Sequence, residues 1–295
     1  MTLRTGEVII SEQGRCFSIP ESISVFGFSI SFYGVFLVLA ALVGGFVIIR
    51  EAGRKQQDTE KYISVLTLSI VFALLAARVY YVLFQWNAFA QNPVSIFNFR
   101  VGGLAYFGAL LGAWITTKVY CRRKEGNFEA VADTLCLGAA AAAPFVWIGC
   151  AMVREPVGRF YDGMFSVRIP QSYLNMELKS VYLNELAENT RRIGEIWYVS
   201  VHPVALYGVV GSLVIFFVMM FLKRRSERPG DTFHLYLLLN AVLCFVLELF
   251  RAERCCIWGT DIPVNCVVAA VLMVTISAGW LQRALKQTKV WEKHL

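Results

Sequence analysis

A chain of 295 residues that is 57% hydrophobic and 17% charged, with a mean hydropathy of +0.56, does not read as a water-soluble globule, because soluble domains carry about 25% charged residues. Its formal net charge of +7 gathers at the ends of apolar runs rather than in a basic stripe interleaved with aromatics, which speaks for a membrane surface and against nucleic acid. Residues 1–28 form an N-terminal segment, and its start, "MTLRTGEVIISEQGRCFSIP", lacks the basic-then-apolar layout of a cleaved signal peptide. Insertion is therefore expected to rely on the first spanning helix. Seven stretches are long and apolar enough to span, at about 29–49, 62–84, 103–121, 130–152, 203–222, 232–251 and 262–282. The fourth is rich in alanine, which suits a helix surrounded by others, and Pro144 is expected to bend it.

The loops set the orientation. "REAGRKQQDTEK" follows the first span, "CRRKEG" the third and "KRRSERPG" the fifth, and the tail at 283–295 is also basic. Basic loops face the cytoplasm, so the N-terminus lies outside and the C-terminus inside. The long insertion at 153–201 then falls outside, with Tyr173, Tyr182, Trp197 and Tyr198 as interfacial anchors for a small extracytoplasmic subdomain. The expected fold class is all-α: a polytopic membrane domain of about seven helices over residues 29–282. The eight cysteines show no metal-ligand spacing. Most lie in apolar segments as small hydrophobes, while Cys16, Cys255 and Cys256 fall in outer segments and leave room for one disulfide.

Charges inside spanning helices cost a few kcal/mol or more, so each asks for a partner or a task. Arg78 lies near the outer end of the second span. Glu248 and Arg251 sit three residues apart near the outer end of the sixth and share a face. Arg154 and Glu155 follow the fourth span, His202 begins the fifth, and Tyr33 lies near the start of the first. All belong to the outer half of the membrane. Three arginines at one depth suit a lipid phosphate, and His202 suits a proton shuttle. The bland readings stand beside these: buried structural ion pairs for Arg78 and for Glu248 with Arg251, solvation for Arg154 and Glu155, backbone satisfaction for His202 and an interfacial belt for Tyr33.

In "RVGGLAYFGALLGAW", Gly108 and Gly112 repeat a small residue at helical spacing, which lets a neighbouring helix approach. Gly102 and Gly103 stand at the outer entry, where bare backbone either admits a head group or bends the chain.

Several stretches resemble one family. "AARVYYVLFQWNAFAQNPVSIFNFRVGGLAYFGALLGAW" is similar to the second and third helices of the prolipoprotein diacylglyceryl transferases, bacterial inner-membrane enzymes. "ISFYGVFLVLA" looks like their first helix, "WIGCAMVREPVGR" their signature segment, "HPVALYG" the start of a later helix and "LELFRAE" their glutamate-and-arginine motif. The resemblance implies transfer of diacylglyceryl from phosphatidylglycerol to the thiol of a lipobox cysteine, with the signal peptide of the prolipoprotein as partner and no metal or organic cofactor. It implies catalytic roles for His202, Glu248, Glu155 and Tyr33. Lipid and phosphate binding would fall to Arg78, Arg154, Arg251, Gly102, Gly103 and Gly158.

The chain departs from the family pattern where polar residues are usual. Phe107 takes the place of a histidine or tyrosine, Val146 and Trp147 that of a Gly-Arg pair, and Cys150 that of an asparagine carried by some members. Val153, Arg154 and Glu155 replace a Gly-Cys-Cys or Asn-Gly-Glu run, though Gly158 remains; Gly208 stands for a frequent glutamate, and Asn240 and Cys244 for a tyrosine and an arginine. Two functions compete on this reading: a working transferase with a rearranged site, and a catalytically degenerate relative that binds lipid or signal peptide as a partner protein. A transporter is disfavoured because ionisable residues are missing at mid-membrane along several helices and no internal repeat is visible.

Overall fold

The computed structural model describes residues 3–9, 16–25, 28–90, 93–97, 103–171, 174, 190–193, 196–223, 228–252, 254, 256–257, 260 and 262–292; side chains are described for these except at 3–30, 87–88, 193, 196, 284 and 286–292. Seven long helices appear among the described residues. They are α1 (Phe32–Arg54), α2 (Thr59–Phe84), α4 (Tyr106–Arg123), α5 (Phe128–Met152), α6 (Val204–Leu222), α7 (Asp231–Phe250) and α8 (Val264–Glu292); a single turn, α3 (Trp86–Phe89), follows α2. Six of the long helices are long and apolar enough to cross a membrane, α8 over Val264–Arg283. The seventh, α4, has 18 residues and carries Lys118, Arg122 and Arg123. Each matches one of the seven expected spans to within a few residues at the membrane ends.

Local chemistry sets the helix ends. The carboxylate of Asp58 accepts from the Glu60 and Lys61 amides to cap α2, and Asn127 accepts from Glu129 and Ala130 to cap α5. The amides at the start of α7 find their acceptor far away in sequence: both oxygens of Asp133, on α5, accept from Gly230 and Phe233 at 2.7 Å. Pro144 stands inside α5, which continues through it to Met152.

The chain divides into two compact units. One comprises Met1–Gly44, Ala139–Val214 and Val246–Arg254. It holds a six-stranded antiparallel sheet built from β1 (Leu3–Ile9), β2 (Cys16–Val25), β3 (Phe28–Ser31), β4 (Val167–Pro170), β5 (Thr190–Ile193) and β6 (Ile196–Val201), in the order β3-β2-β1-β4-β6-β5. The N-terminal segment and the insertion at 153–201, read from the sequence as separate outer pieces, are thus one sheet, joined where Ile9 faces Arg168. Val157, Ile169, Leu174, Val199 and Val201 form its core. Trp197 is half-exposed and Tyr198 buried, whereas Tyr173, Tyr182 and Cys255 lie outside the described residues.

The other unit comprises Gly45–Gly138, Ile215–Phe245 and Cys255–Leu295. Here α2 and α4 lie in close contact, and the two glycines of α4 are the reason. A Cβ at Gly108 would stand 2.6 Å from Tyr80 Cβ and 2.8 Å from the Ala76 carbonyl; one at Gly112 would stand 2.6 Å from both Ala76 Cβ and the Phe72 carbonyl. The helices meet backbone to backbone, as small-xxx-small spacing requires. A second contact surface joins Ile48 and Ala52 of α1 to Tyr62, Val65, Cys121 and Val131.

Candidate active site

In the first unit the polar residues gather where α5 ends. Gly149 lets α1 come close: a Cβ there would lie 3.0 Å from Phe36 Cβ and 3.2 Å from Tyr33 Cδ2. Cys150 follows, and Tyr33, Cys150 and Glu155 are electrostatic neighbours, with Arg251 also acting on Cys150. The helix stops because Arg154 takes a left-handed backbone, φ 58°. The Arg154 amide then donates to Ala151 (3.3 Å) and the Glu155 amide to Cys150 (3.1 Å), closing the last turn. Glycine is the usual residue for such a cap; here Arg154 takes it and places a buried guanidinium at the helix end.

Beyond that cap three distant stretches are laced together by backbone. Gly158 bridges to Arg251, the Arg159 amide donates to Phe250 (2.8 Å), the Ala252 amide to Val157 (2.9 Å) and the His202 amide to Arg159 (2.9 Å). A Cβ at Gly158 would fall 2.1 Å from the His202 carbonyl oxygen, so no other residue fits without moving the chain. Glycine at 158 is thus a condition of bringing His202 and Arg251 together.

Arg251 pairs with Glu248 one turn back, Nη1 to Oε2 at 3.6 Å, with the carboxylate buried and the guanidinium about one-third exposed (32%). The imidazole of His202 stacks on Tyr161 at 4.1 Å and 8°, lies edge-on to Phe250, and has Nδ1 3.3 Å from the Tyr207 hydroxyl. Burial, aided by the Arg159 charge, pushes the His202 pKa below its ordinary value of 6.5. The ring is accordingly neutral at pH 7 and able to accept a proton. Of the residues singled out from sequence, Tyr33, Arg154, Glu155, Gly158, His202, Glu248 and Arg251 all belong to this unit. Tyr161 and Phe250, which hold the imidazole, carry no signal in the sequence: one stands in an irregular loop and the other at a helix end among many phenylalanines.

Arg78 and Gly103 belong to the second unit. The Arg78 guanidinium donates to the carbonyls of Ile96 (2.8 Å), Ser95 (2.9 Å) and Gly103 (3.2 Å) and sits over the Phe89 ring at 5.2 Å. Gly103 has φ 82°, and a Cβ there would be 2.6 Å from Arg78 Nη1. The guanidinium thus ties the Ser95, Ile96 and Gly103 carbonyls to α2. Gly102 lies outside the described residues.

The departures from the family motif come in groups. Phe107 is buried in an apolar cluster with Ala241 and Ala269, and Cys244 packs against the same cluster. Asn240 turns its amide back to the Tyr236 carbonyl at 2.9 Å. In the first unit, Trp147 lies directly against Gly208.

The fold is that of a multi-pass membrane protein, and in its first unit arginines, carboxylates and an imidazole lie at helix ends. The family model for prolipoprotein diacylglyceryl transferase matches residues 20–282. Phosphatidylglycerol–prolipoprotein diacylglyceryl transferase of Shouchella clausii is 29% identical over 258 residues, covering 87% of each chain, and the protein of the same name from Bacillus cereus strain G9842 is 29% identical over 226 residues, covering 77% of this chain and 78% of its own. The one from Bacillus anthracis is 27% identical over 226 residues, with the same coverage. The chain belongs to the prolipoprotein diacylglyceryl transferase family, and it is a multi-pass protein of the bacterial inner membrane.

Proposed function

We propose that the protein transfers the diacylglyceryl group of phosphatidylglycerol to the lipobox cysteine of a prolipoprotein, using the cluster in the first unit. What supports this most is that Arg251, paired with buried Glu248, acts with Glu155 on Cys150, while the backbone at Gly158 ties Arg251 to the segment that carries a neutral His202. The positive-inside pattern of the basic loops supports an outer-face position for this cluster, with the lipobox cysteine presented from the side on which preproteins emerge and its signal peptide lying in the bilayer.

His202 acts as the base that takes the proton from the substrate thiol, since the thiolate is the competent nucleophile. The sulfur attacks the glycerol carbon that carries the phosphoester. A carbon–sulfur bond forms, the carbon–oxygen bond breaks, and glycerol phosphate departs with the electron pair. Arg154 and Arg251 hold that phosphate and the charge it gains; a guanidinium fork matches its oxygens. Glu248 keeps Arg251 oriented. Glu155 and Tyr33 fix the lipid glycerol. Arg78 is a positioning residue, holding the Gly103 loop.

The test is expression in cells depleted of their own transferase, with lipid attachment to a lipobox peptide as the readout. The intact protein gives thioether-linked product, and Arg251→Ala and His202→Ala reduce it severely. No product from the intact protein ends the enzyme reading, and product unaffected by both substitutions removes the residue roles.

A further inference from the structure

At the far end of α1 from Tyr33, the last two turns of α1 and the last two turns of α6 enclose a cavity of about 830 Å³, entirely within the second unit. One wall is aromatic, from Phe46, Phe216 and Phe221; the first and last are more than half exposed, so the cavity opens sideways. The other end is cationic. Arg54 donates to both oxygens of Glu51 (Nε at 3.1 Å, Nη2 at 2.5 Å), Lys223 reaches the same carboxylate at 2.9 Å, and Lys55 stands 3.9 Å away. One buried carboxylate thus faces three cations. Arg50, also lining the cavity, has no ion-pair partner among the described residues. The site carries a surplus of positive charge beside a greasy wall, at the end of the bundle where basic loops gather.

We propose that this cavity holds an anionic phospholipid of the cytoplasmic leaflet, with its phosphate on Arg50 and Arg54 and a hydrocarbon chain along the phenylalanine wall. Three features argue for that occupant. The guanidinium fork fits phosphate oxygens. The volume falls in the range of lipid and ligand sites, about 300–1,000 Å³. Basic pockets between helices on the cytoplasmic side are suited to anionic head groups. Glu51 gathers Arg54 and Lys223 from two helices and so preforms the cationic end. This site is separate from the transfer reaction and rests only on the topology of the basic loops.

The probe is phosphatidic acid bearing a diazirine on one acyl chain, incorporated with the full-length protein into phosphatidylcholine nanodiscs. After photolysis, the labelled peptides are mapped. Label is expected on peptides covering 46–54 and 216–223, about tenfold above that from an equivalent phosphatidylcholine probe, given the strength of charge-assisted hydrogen bonds. Arg50→Ala and Met220→Trp, one removing charge and the other filling the apolar wall, each lower it, while His202→Ala leaves it unchanged. Equal labelling by the two lipids overturns the proposal, as does label insensitive to Arg50→Ala or displaced by millimolar inorganic phosphate. If a variant fails to fold, the contrast between the two lipids on the unaltered protein still decides.

Discussion

Trp147 occupies the space that a side chain at position 208 would need: a Cβ added to Gly208 would lie 2.2 Å from Trp147 Cδ2 and 2.5 Å from Cε3. The indole and the bare backbone at 208 are therefore one contact, at two positions where the resemblance sets an arginine and often a glutamate. Gly208→Ala is expected to cost about 1–3 kcal/mol as an overpacking change, read as a lowered melting temperature in detergent. Gly208→Glu alone fares worse, and Trp147→Arg combined with Gly208→Glu recovers much of the loss. Additive single effects would sink the pairing.

Removing Arg251 takes away the cation that pairs with Glu248 and that the proposed mechanism sets on the leaving phosphate. Arg251→Ala is expected to lower the rate of transfer by about 10²-fold or more, the usual consequence of losing one charge-stabilising group, and to leave Glu248 as a buried carboxylate without its ion-pair partner. Glu248→Gln is milder and falls mainly on the rate. Single-turnover assays with a lipobox peptide separate the two, and Arg251→Lys, which keeps the charge without the fork, falls between them.

The environment of His202 sets a pH dependence. Its folded-state pKa lies below 6.5 because burial and Arg159 disfavour the imidazolium. As a base it is competent when neutral, so activity is expected to be flat above pH 6.5 and to fall as pH drops through the depressed folded-state pKa. Stability changes with the same sign. Below 6.5 the unfolded chain takes up the proton first, so this contribution is complete above that value and is lost as pH falls toward the folded-state pKa. A pH–rate profile checks the first, and His202→Gln should remove the acidic limb. An unchanged limb in that variant assigns the titration to another group.

Gly112 should tolerate no added side chain. The atoms a Cβ would meet include the Phe72 carbonyl, which cannot move independently of α2. Gly112→Ala is expected to push α2 and α4 apart at about 1–3 kcal/mol, measured as a loss of thermal stability. At Gly103 two costs coincide, the φ of 82° and the clash with Arg78. Gly103→Ala should lower thermal stability by breaking the contact of Arg78 with the Gly103 carbonyl.

Asp133 accepts from two amides at the start of α7, an unusual case of a cap supplied by another helix. Asp133→Ala is expected to cost about 0.5–2 kcal/mol, with Asp133→Asn retaining part of the cap. Denaturation in detergent measures both.

Hydropathy alone determined the helical spans, because only long apolar runs satisfy a bilayer and their ends are marked by charge. The close approach at Gly108 and Gly112 was equally legible, since helical periodicity puts them on one face. The family's motifs supplied the candidate residues, and Arg154, Glu155, Gly158, His202, Glu248 and Arg251 lie together in one unit as a result. Tertiary structure decided the rest. The six-stranded sheet joins residues 3–31 to residues 167–201 through pairing across more than a hundred positions, for which short irregular strands leave no periodic trace. That Gly158 is needed to seat His202, that Tyr161 stacks on it, and that Trp147 and Gly208 are one contact all depend on which backbones approach within 4 Å. Local sequence pattern reports what each segment can bury, whereas which segments bury each other is settled only when the chain is packed.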